Sequence, residues 1–411
     1  MPSSSDNNPL VDLRGVNSVA AVEEKLTRLA ELLQSDEHVD LRVPHELKFS
    51  FLGGAAAVMQ LIGTWARTTG ASGALRTYFD PDVTSSDIVT ALEKYEHLLL
   101  AASVAPVVKD RSGKVDISLL AHDSARSVLR SRRSAGPLRP RRSLLELVCD
   151  RWPDLAPFSL YKGGDSRYPR DLKDEYLPLA EGLLSLGSGA RSNYPPDVVS
   201  SLSWALFELF QNTDQWARSL PSLLGEVPAD PSCRLIYGRR HLIPAHRAAS
   251  VLGETHALRG FLDRLSARDG YFRIFEVTIL DMGPGVSAWR AVDRAQTSYT
   301  AAEELADIRW ALAKRRTTSL DARKGMGYHR AFLNLSRLGG FMLLRSGRVS
   351  VSRDFVPSSY PSAREAEDAL RPDHERENWT DLDVSPESSP AHASGTRVSF
   401  FFPAEASGAD L

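Results

Sequence analysis

Glu208 and Asn212 stand four residues apart in "LFELFQNTDQWAR", Leu206 to Arg218, a run otherwise rich in leucine, phenylalanine and tryptophan. Positions i and i+4 share one helical face, so a carboxylate and an amide would point at the same place. A buried carboxylate without a partner is costly. The pair is therefore either satisfied within the fold or turned toward a cleft. In a cleft, a carboxylate can act as a general base and an amide oxygen can hold a hard cation.

Three further polar interruptions follow along the chain. In "FRIFEVTILDMGPGVS" a strand of β-branched and aromatic residues ends in Asp281, with Gly283 and Gly285 just beyond. An acid at a strand end can accept a hydrogen bond, while glycines let backbone approach a ligand closely; Asp-x-Gly is also ordinary turn chemistry. In "ARKGMGYHRAFLNLSRLGG" the residues Lys324, Gly325, Met326 and Gly327 precede an apolar-periodic helix. Free N–H groups at a helix start suit phosphate oxygens, and Lys324 adds a positive charge, although the same glycines would serve a plain turn into the helix. In "ASGTRVSFFFP", Gly395 and Thr396 precede a terminal strand.

Taken in this order, the four motifs resemble those of the GHKL ATPase superfamily, the Bergerat-fold group of gyrase, heat-shock chaperones, histidine kinases and MutL. Glu208 and Asn212 match its N box, "DMGPG" its first glycine box, "KGMG" its second and "SGT" its last box; "LGGFMLLRSGRVSVS" is similar to its paired strands joined by a Ser-Gly turn. The resemblance covers residues 145–403. It implies an α/β sandwich, with helices on one face of a mixed sheet and ATP between the helical layer and a lid. Carried over by position, Glu208 would be the general base and Asn212 would reach Mg²⁺. Asp281 would accept the adenine amino group, supported by Thr396 through water. Gly283 and Gly285 would let backbone pass beside the nucleotide, and Lys324, Gly325, Met326 and Gly327 would meet the phosphates. Some relatives carry histidine four residues after the asparagine, where this chain has Trp216. The span from Asn212 to Asp281 is long for the family, and "RRHLIPAHRAASVLGETHALRGFLDRL" reads as an inserted strand and helix. Residues 286–323 would form the lid, with Lys314, Arg315 and Arg316 either near phosphates or a partner or at a plain solvated helix end.

Ahead of this region the chain predicts residues 1–17 as a flexible segment and 18–120 as a small α/β unit. Helical spacing runs through "VAAVEEKLTRLAELL", "VDLRV" alternates as a strand, a second strand is expected just after it, and Gly-Gly opens an apolar helix. One further helix is expected across "DIVTALEKYEHLLLAASV". The pattern is similar to the STAS fold of anti-anti-sigma regulators, but "FLGGAA" replaces the phosphorylatable serine turn expected there. Seven arginines in "ARSVLRSRRSAGPLRPRRS" mark residues 121–144 as a linker, with glycine and prolines near its end. The Pro-, Ser- and acid-rich stretch 356–394 reads as a mobile loop, and 404–411 as a tail.

Composition excludes several classes. Fifty basic against 52 acidic residues give a net charge of −2, so no global attraction to nucleic acid or membrane is expected. Cys149 and Cys233 offer no disulfide framework or metal spacing, which points to a reducing cytoplasm. No apolar run reaches the ~20 residues that cross a bilayer. Three functions compete: an ATP-driven switch acting on a protein partner or a second copy, a histidine or serine kinase using the same pocket, and a nucleic-acid module in which Arg126 to Arg142 contact phosphates. For the kinase, "VPHELKFS" is weakly similar to a phosphoacceptor box. Its basic-polar-proline continuation is missing, and strand-like surroundings replace a dimerisation helix, so His45 reads as a loop or strand residue.

Overall fold

Two sheets carry the chain, and their difference in direction follows from how their strands are joined. The computed structural model describes residues 8–35, 38–49, 52–70, 72–135, 143–187, 194–222, 225–228, 232–248, 256–265, 267–293, 300–313, 327–355, 382–384 and 391–404. In the first half, short strands β1 (Leu10–Asp12), β2 (Asp40–Arg42), β3 (Ala74–Arg76) and β4 (Val107–Lys109) form a parallel sheet in that order. Parallel neighbours need crossovers, usually helical. These are α1 (Val19–Ser35), α2 (Gly54–Thr69) and the pair α3 (Ser85–Lys94) and α4 (Glu96–Val104).

The expected second strand after β2 does not form: residues 43–49 carry no regular structure. The single helix expected over "DIVTALEKYEHLLLAASV" is two, because Tyr95 adopts extended backbone (φ −122°, ψ 101°) and ends α3 while starting α4. Thr84 caps α3 reciprocally with Asp87. The first part of the Arg-rich stretch is not a connector either. It lies in α5 (Ser118–Ala135), where Ala121, Ala125, Val128 and Leu129 are buried at helical spacing. That apolar stripe decides the conformation, since the arginines can occupy the opposite face. Two of them are spent on carbonyls: Arg132 donates to Glu93 O at 3.1 Å and Arg133 to Gly163 O at 2.6 Å.

The second sheet contains β5 (Ser143–Cys149), β8 (Cys233–Pro244), β9 (Tyr271–Asp281), β10 (Phe341–Gly347), β11 (Val349–Asp354), β12 (Asp383–Val384) and β13 (Ala393–Pro403), in the order β12-β11-β10-β13-β9-β8-β5. Strands β6 (Ser219–Ser222) and β7 (Gly225–Pro228) make a separate hairpin. Every pairing in the seven-stranded sheet is antiparallel, which corrects the mixed sheet expected from the resemblance. The chain leaves β5 at Cys149 and, after α6 (Leu177–Leu184) and α7 (Pro196–Trp216), re-enters at Cys233 directly opposite. Returning to the end it left, it must run the other way. Strand β8 continues unbroken to Pro244, and among the described residues a short 3₁₀ turn (Ala245–Arg247) and the helix α8 (His256–Arg264) lie between it and β9.

Nor are helices confined to one face of this sheet. Side chains alternate along a strand: Phe275, Val277 and Ile279 of β9 join a core with α6, α7 and a late helix, whereas Leu280 joins the core of the parallel sheet. Helix α2 fills that second face. Its run "GAAAVMQLIGTWA" is apolar all round, as a helix buried on every side must be, and residues 54–66 are all buried. Gly63 permits the approach, since a Cβ there would stand 2.7 Å from Met282 Cγ. The remaining helices are α9 (Val286–Asp293), α10 (Ala301–Leu312) and α11 (Gly327–Arg337). Among the described residues, no helix is long and apolar enough to cross a membrane.

Candidate functional site

Helix α7 carries the first pair of polar residues to the start of α11. Glu208 is buried and Asn212 half-buried. A Cβ on Gly327 would lie 3.2 Å from both ends of the Asn212 amide and 3.3 Å from Glu208 Oε2. The two side chains thus meet at the first residue of α11, as their spacing predicts. Among the described residues, Asn212 Nδ2 is buried without a hydrogen-bond partner. Glu208 accepts a hydrogen bond from Arg330, one turn into α11, with Nη1 to Oε1 at 3.2 Å. Burial pushes the Glu208 carboxyl up, against the pull of the Arg330 charge and hydrogen bond.

The second acid approaches from the sheet. Asp281 is the last residue of β9 and only 6% exposed. It follows the alternation of Phe275, Val277 and Ile279, and so turns toward the helical layer that carries α7. Its Oδ1 accepts the N–H groups of Gly283 (2.8 Å) and Thr396 (3.2 Å). Burial lifts its carboxyl to about 6, although those two amides, Arg67 and Arg234 oppose the shift. Tyr328, beside Gly327, has its hydroxyl pKa raised by burial and then by the Asp281 charge. The start of α11 therefore links the two acid groups: Gly327 faces Glu208 and Asn212, and Tyr328 feels Asp281.

The glycines around Asp281 make room for protein. A Cβ on Gly283 would stand 2.7 Å from Ala217 Cα at the end of α7, and one on Gly285 (φ +82°) would stand 2.9 Å from Ser346 Oγ. Gly395 (φ +75°) is held more tightly still, since a Cβ there would overlap the Asp281 carbonyl oxygen at 1.8 Å. Thr396 Oγ1 and Ser346 Oγ are 3.3 Å apart, and Ser346 Oγ accepts Val286 N–H at 3.0 Å. Lys324, Gly325 and Met326 lie outside the described residues, as do Lys314, Arg315 and Arg316. The described helices of the expected lid are tied at two places: Glu304 of α10 accepts the Arg348 N–H, between β10 and β11, at 2.7 Å, and Trp289 Nε1 of α9 donates to Trp216 O at the end of α7 at 3.0 Å. Trp216 packs edge-on against Trp289 with centroids 5.0 Å apart.

Compared with known proteins, the chain matches no family model, no curated protein and no solved structure.

Four contributors escaped the sequence reading. Tyr328 and Arg330 follow Gly327 within one turn, so their proximity was inferable from "KGMGYHRAF". Arg234 and Arg67 carried no such signal. Arg234 is fully buried beside Asp281 in register. It donates to both oxygens of Asp150 (2.6 and 2.9 Å) and to Tyr161 Oη, which in turn donates to Asp214 of α7 at 2.6 Å. This network fixes the rotation of α7 two residues after Asn212. Breaking a buried ion pair on one side costs about 3–5 kcal/mol, because it strands the other charge. Arg234→Met is therefore expected to lower the free energy of unfolding, read from denaturant titration, by that amount; a change below about 1 kcal/mol would contradict this anchoring role.

Arg67 reaches the same region from α2, donating to Met282 O at 2.7 Å. Beside it, Thr64 Oγ1 accepts Ser394 N–H at 2.9 Å, and Gln60 donates to Ser394 O at 3.4 Å. Helix α2 thus holds the backbone on both sides of the Asp281–Thr396 contact. His45 lies in the loop after β2, not on a helix, with its ring 4.5 Å from Phe79. It lines a separate cavity of about 620 Å³ with Tyr78, Thr84, Lys94 and Tyr95.

Proposed function

We propose that this protein binds Mg²⁺–ATP between α7, the end of β9 and the start of α11, and hydrolyses it as a switch of the GHKL type with a Bergerat-like ATP site. The observation that supports this most is the meeting of Glu208 and Asn212 at Gly327, with Asp281 acting on the adjacent Tyr328. Glu208 and Asn212 of α7 leave their polar groups at one helix start, where free N–H groups favour phosphate, and the Asp281 charge acts on the next residue.

Asn212 fits the role of metal ligand. Its buried amide nitrogen has no hydrogen-bond partner among the described residues, and the two ends of an amide exchange by a flip, so its oxygen can turn to a hard cation. When bound there, Mg²⁺ would neutralise charge on the phosphate oxygens. Arg330 holds Glu208 Oε1, leaving Oε2 toward Gly327 to accept a proton from water. The raised Glu208 pKa brings it nearer the operating pH, where a general base is most effective. Asp281 accepts the adenine amino group and Thr396 supports it through water; the phosphates lie along residues 324–327.

The contacts of Gln60, Thr64 and Arg67 give the switch a route to the amino-terminal unit, because they hold the backbone beside Asp281 and Thr396. Closure of the lid would then present an altered face to a protein partner or a second copy. Calorimetric titration of the whole chain tests the binding step. One site for ATP, weakened when Mg²⁺ is chelated, is expected; no heat of binding at saturating ATP would remove the proposal.

A further inference from the structure

The chain contains two cysteines, and the sheet sets them opposite each other. Cys149 ends β5, Cys233 opens β8, and the two are direct partners in the antiparallel register. At the next step along the ladder, Asp150 N–H donates to Ser232 O at 3.0 Å. Hydrogen-bonded and non-hydrogen-bonded pairs alternate in such a ladder, so Cys149 and Cys233 occupy a non-hydrogen-bonded position, where Cα atoms stand about 4.5 Å apart and side chains come closest. Disulfides accept Cα separations of about 4.4–6.8 Å. Both side chains lie on the α2 face of the sheet within one core, where Cys149 Sγ donates to Ser103 O at 3.8 Å. Both are free thiols in the structure.

We propose that Cys149 and Cys233 form a redox pair, closed to an intramolecular disulfide by a small hydroperoxide and reopened by thiols. The thiols are buried at 4% and 1% exposure, which favours an oxidant of molecular size close to water. Cys149 is the attacking group, since the neighbouring Cys233 thiol lowers its pKa while burial raises that of Cys233, and the thiolate is the nucleophile. Its sulfur attacks one peroxide oxygen, the O–O bond breaks, and the departing hydroxide takes up a proton as water. This leaves a sulfenic acid on Cys149. Cys233, giving up its proton, then attacks that sulfur and displaces the hydroxyl as a second water. Two thiols and one hydrogen peroxide become one disulfide and two waters. Reduction by a dithiol runs through a mixed disulfide and restores both thiols.

The bond would act at a defined place. Strand β5 is the edge of the seven-stranded sheet, and it would be joined covalently to its neighbour one residue before Asp150 and Arg234, the ion pair of the network that orients α7. This inference does not depend on nucleotide binding.

The test treats the folded chain with hydrogen peroxide, removes the peroxide, then unfolds the protein in denaturant with iodoacetamide present. The expected product has lost two hydrogens, takes up no alkyl group, yields a cross-linked peptide pair containing Cys149 and Cys233, and regains two alkylation sites after dithiothreitol. The Cys233→Ser chain, if it folds, should stop at a dimedone-reactive Cys149. Recovery of two alkylated cysteines after peroxide would overturn the proposal, as would separate oxidation of each to a sulfinic acid or a link between two chains.

Discussion

Asp281→Asn is expected to melt higher than the parent chain at neutral pH while losing ATP affinity. Burial raises the Asp281 carboxyl from 3.8 to about 6 in the folded chain. Between those values the folded state holds a proton that the unfolded state has released, so stability falls as pH rises through the window. Above about pH 6 the cost is complete and on the order of 3 kcal/mol, two pKa units at about 1.4 kcal/mol each. Asparagine carries no charge to desolvate and keeps an oxygen to accept the Gly283 and Thr396 N–H groups. The gain in melting temperature should therefore be large near neutrality and close to nil near pH 4. ATP binding should weaken by about 10- to 100-fold, the worth of a hydrogen bond to a charged acceptor. Thermal scans across pH and calorimetry measure both effects. Parental ATP affinity in the variant would sink the adenine assignment, and lower stability at neutral pH would sink the desolvation account. A residue kept for stability alone would move only the first reading, and downward.

The second large effect belongs to Glu208. Glu208→Gln should lower ATP hydrolysis by about 10²- to 10⁴-fold, the usual contribution of a general base, with ATP affinity retained. Glutamine matches the shape of the side chain and can still accept from Arg330, which is 44% exposed and keeps contact with water. Stability should change little, since an ion pair with one hydrated member contributes about 1 kcal/mol or less. Phosphate release from γ-labelled ATP is the measurement. Undiminished release in the variant would leave Glu208 as a structural partner of Arg330. Label retained on the protein would favour the kinase reading of the same pocket.

Local spacing was legible in the sequence. The four-residue step from Glu208 to Asn212 lies within about one helical turn, and Asp281 ends a strand whose alternation was visible in "FRIFEVTILD". The Ser-Gly turn between β10 and β11 and the Gly-Gly entry to α2 were equally local. Such features depend on neighbours a few residues away, and their geometry is nearly independent of the rest of the fold. What the arginine count suggested for residues 121–135 failed for the same reason in reverse: the buried stripe of Ala121, Ala125, Val128 and Leu129 outweighs it, and only packing reveals which face is buried.

The sequence by itself determined which side chains could do chemistry and which shared a face. Tertiary structure alone decided that α2 covers the second face of the large sheet, that every strand there runs opposite to its neighbours, that Arg67 and Arg234 close on the turn after Asp281, and that Cys149 faces Cys233. Those are matters of register between strands and helices many tens of residues apart. A shift of one residue turns every side chain of a strand to the other face, and what holds the register is the summed burial of both faces, which no short window of sequence contains.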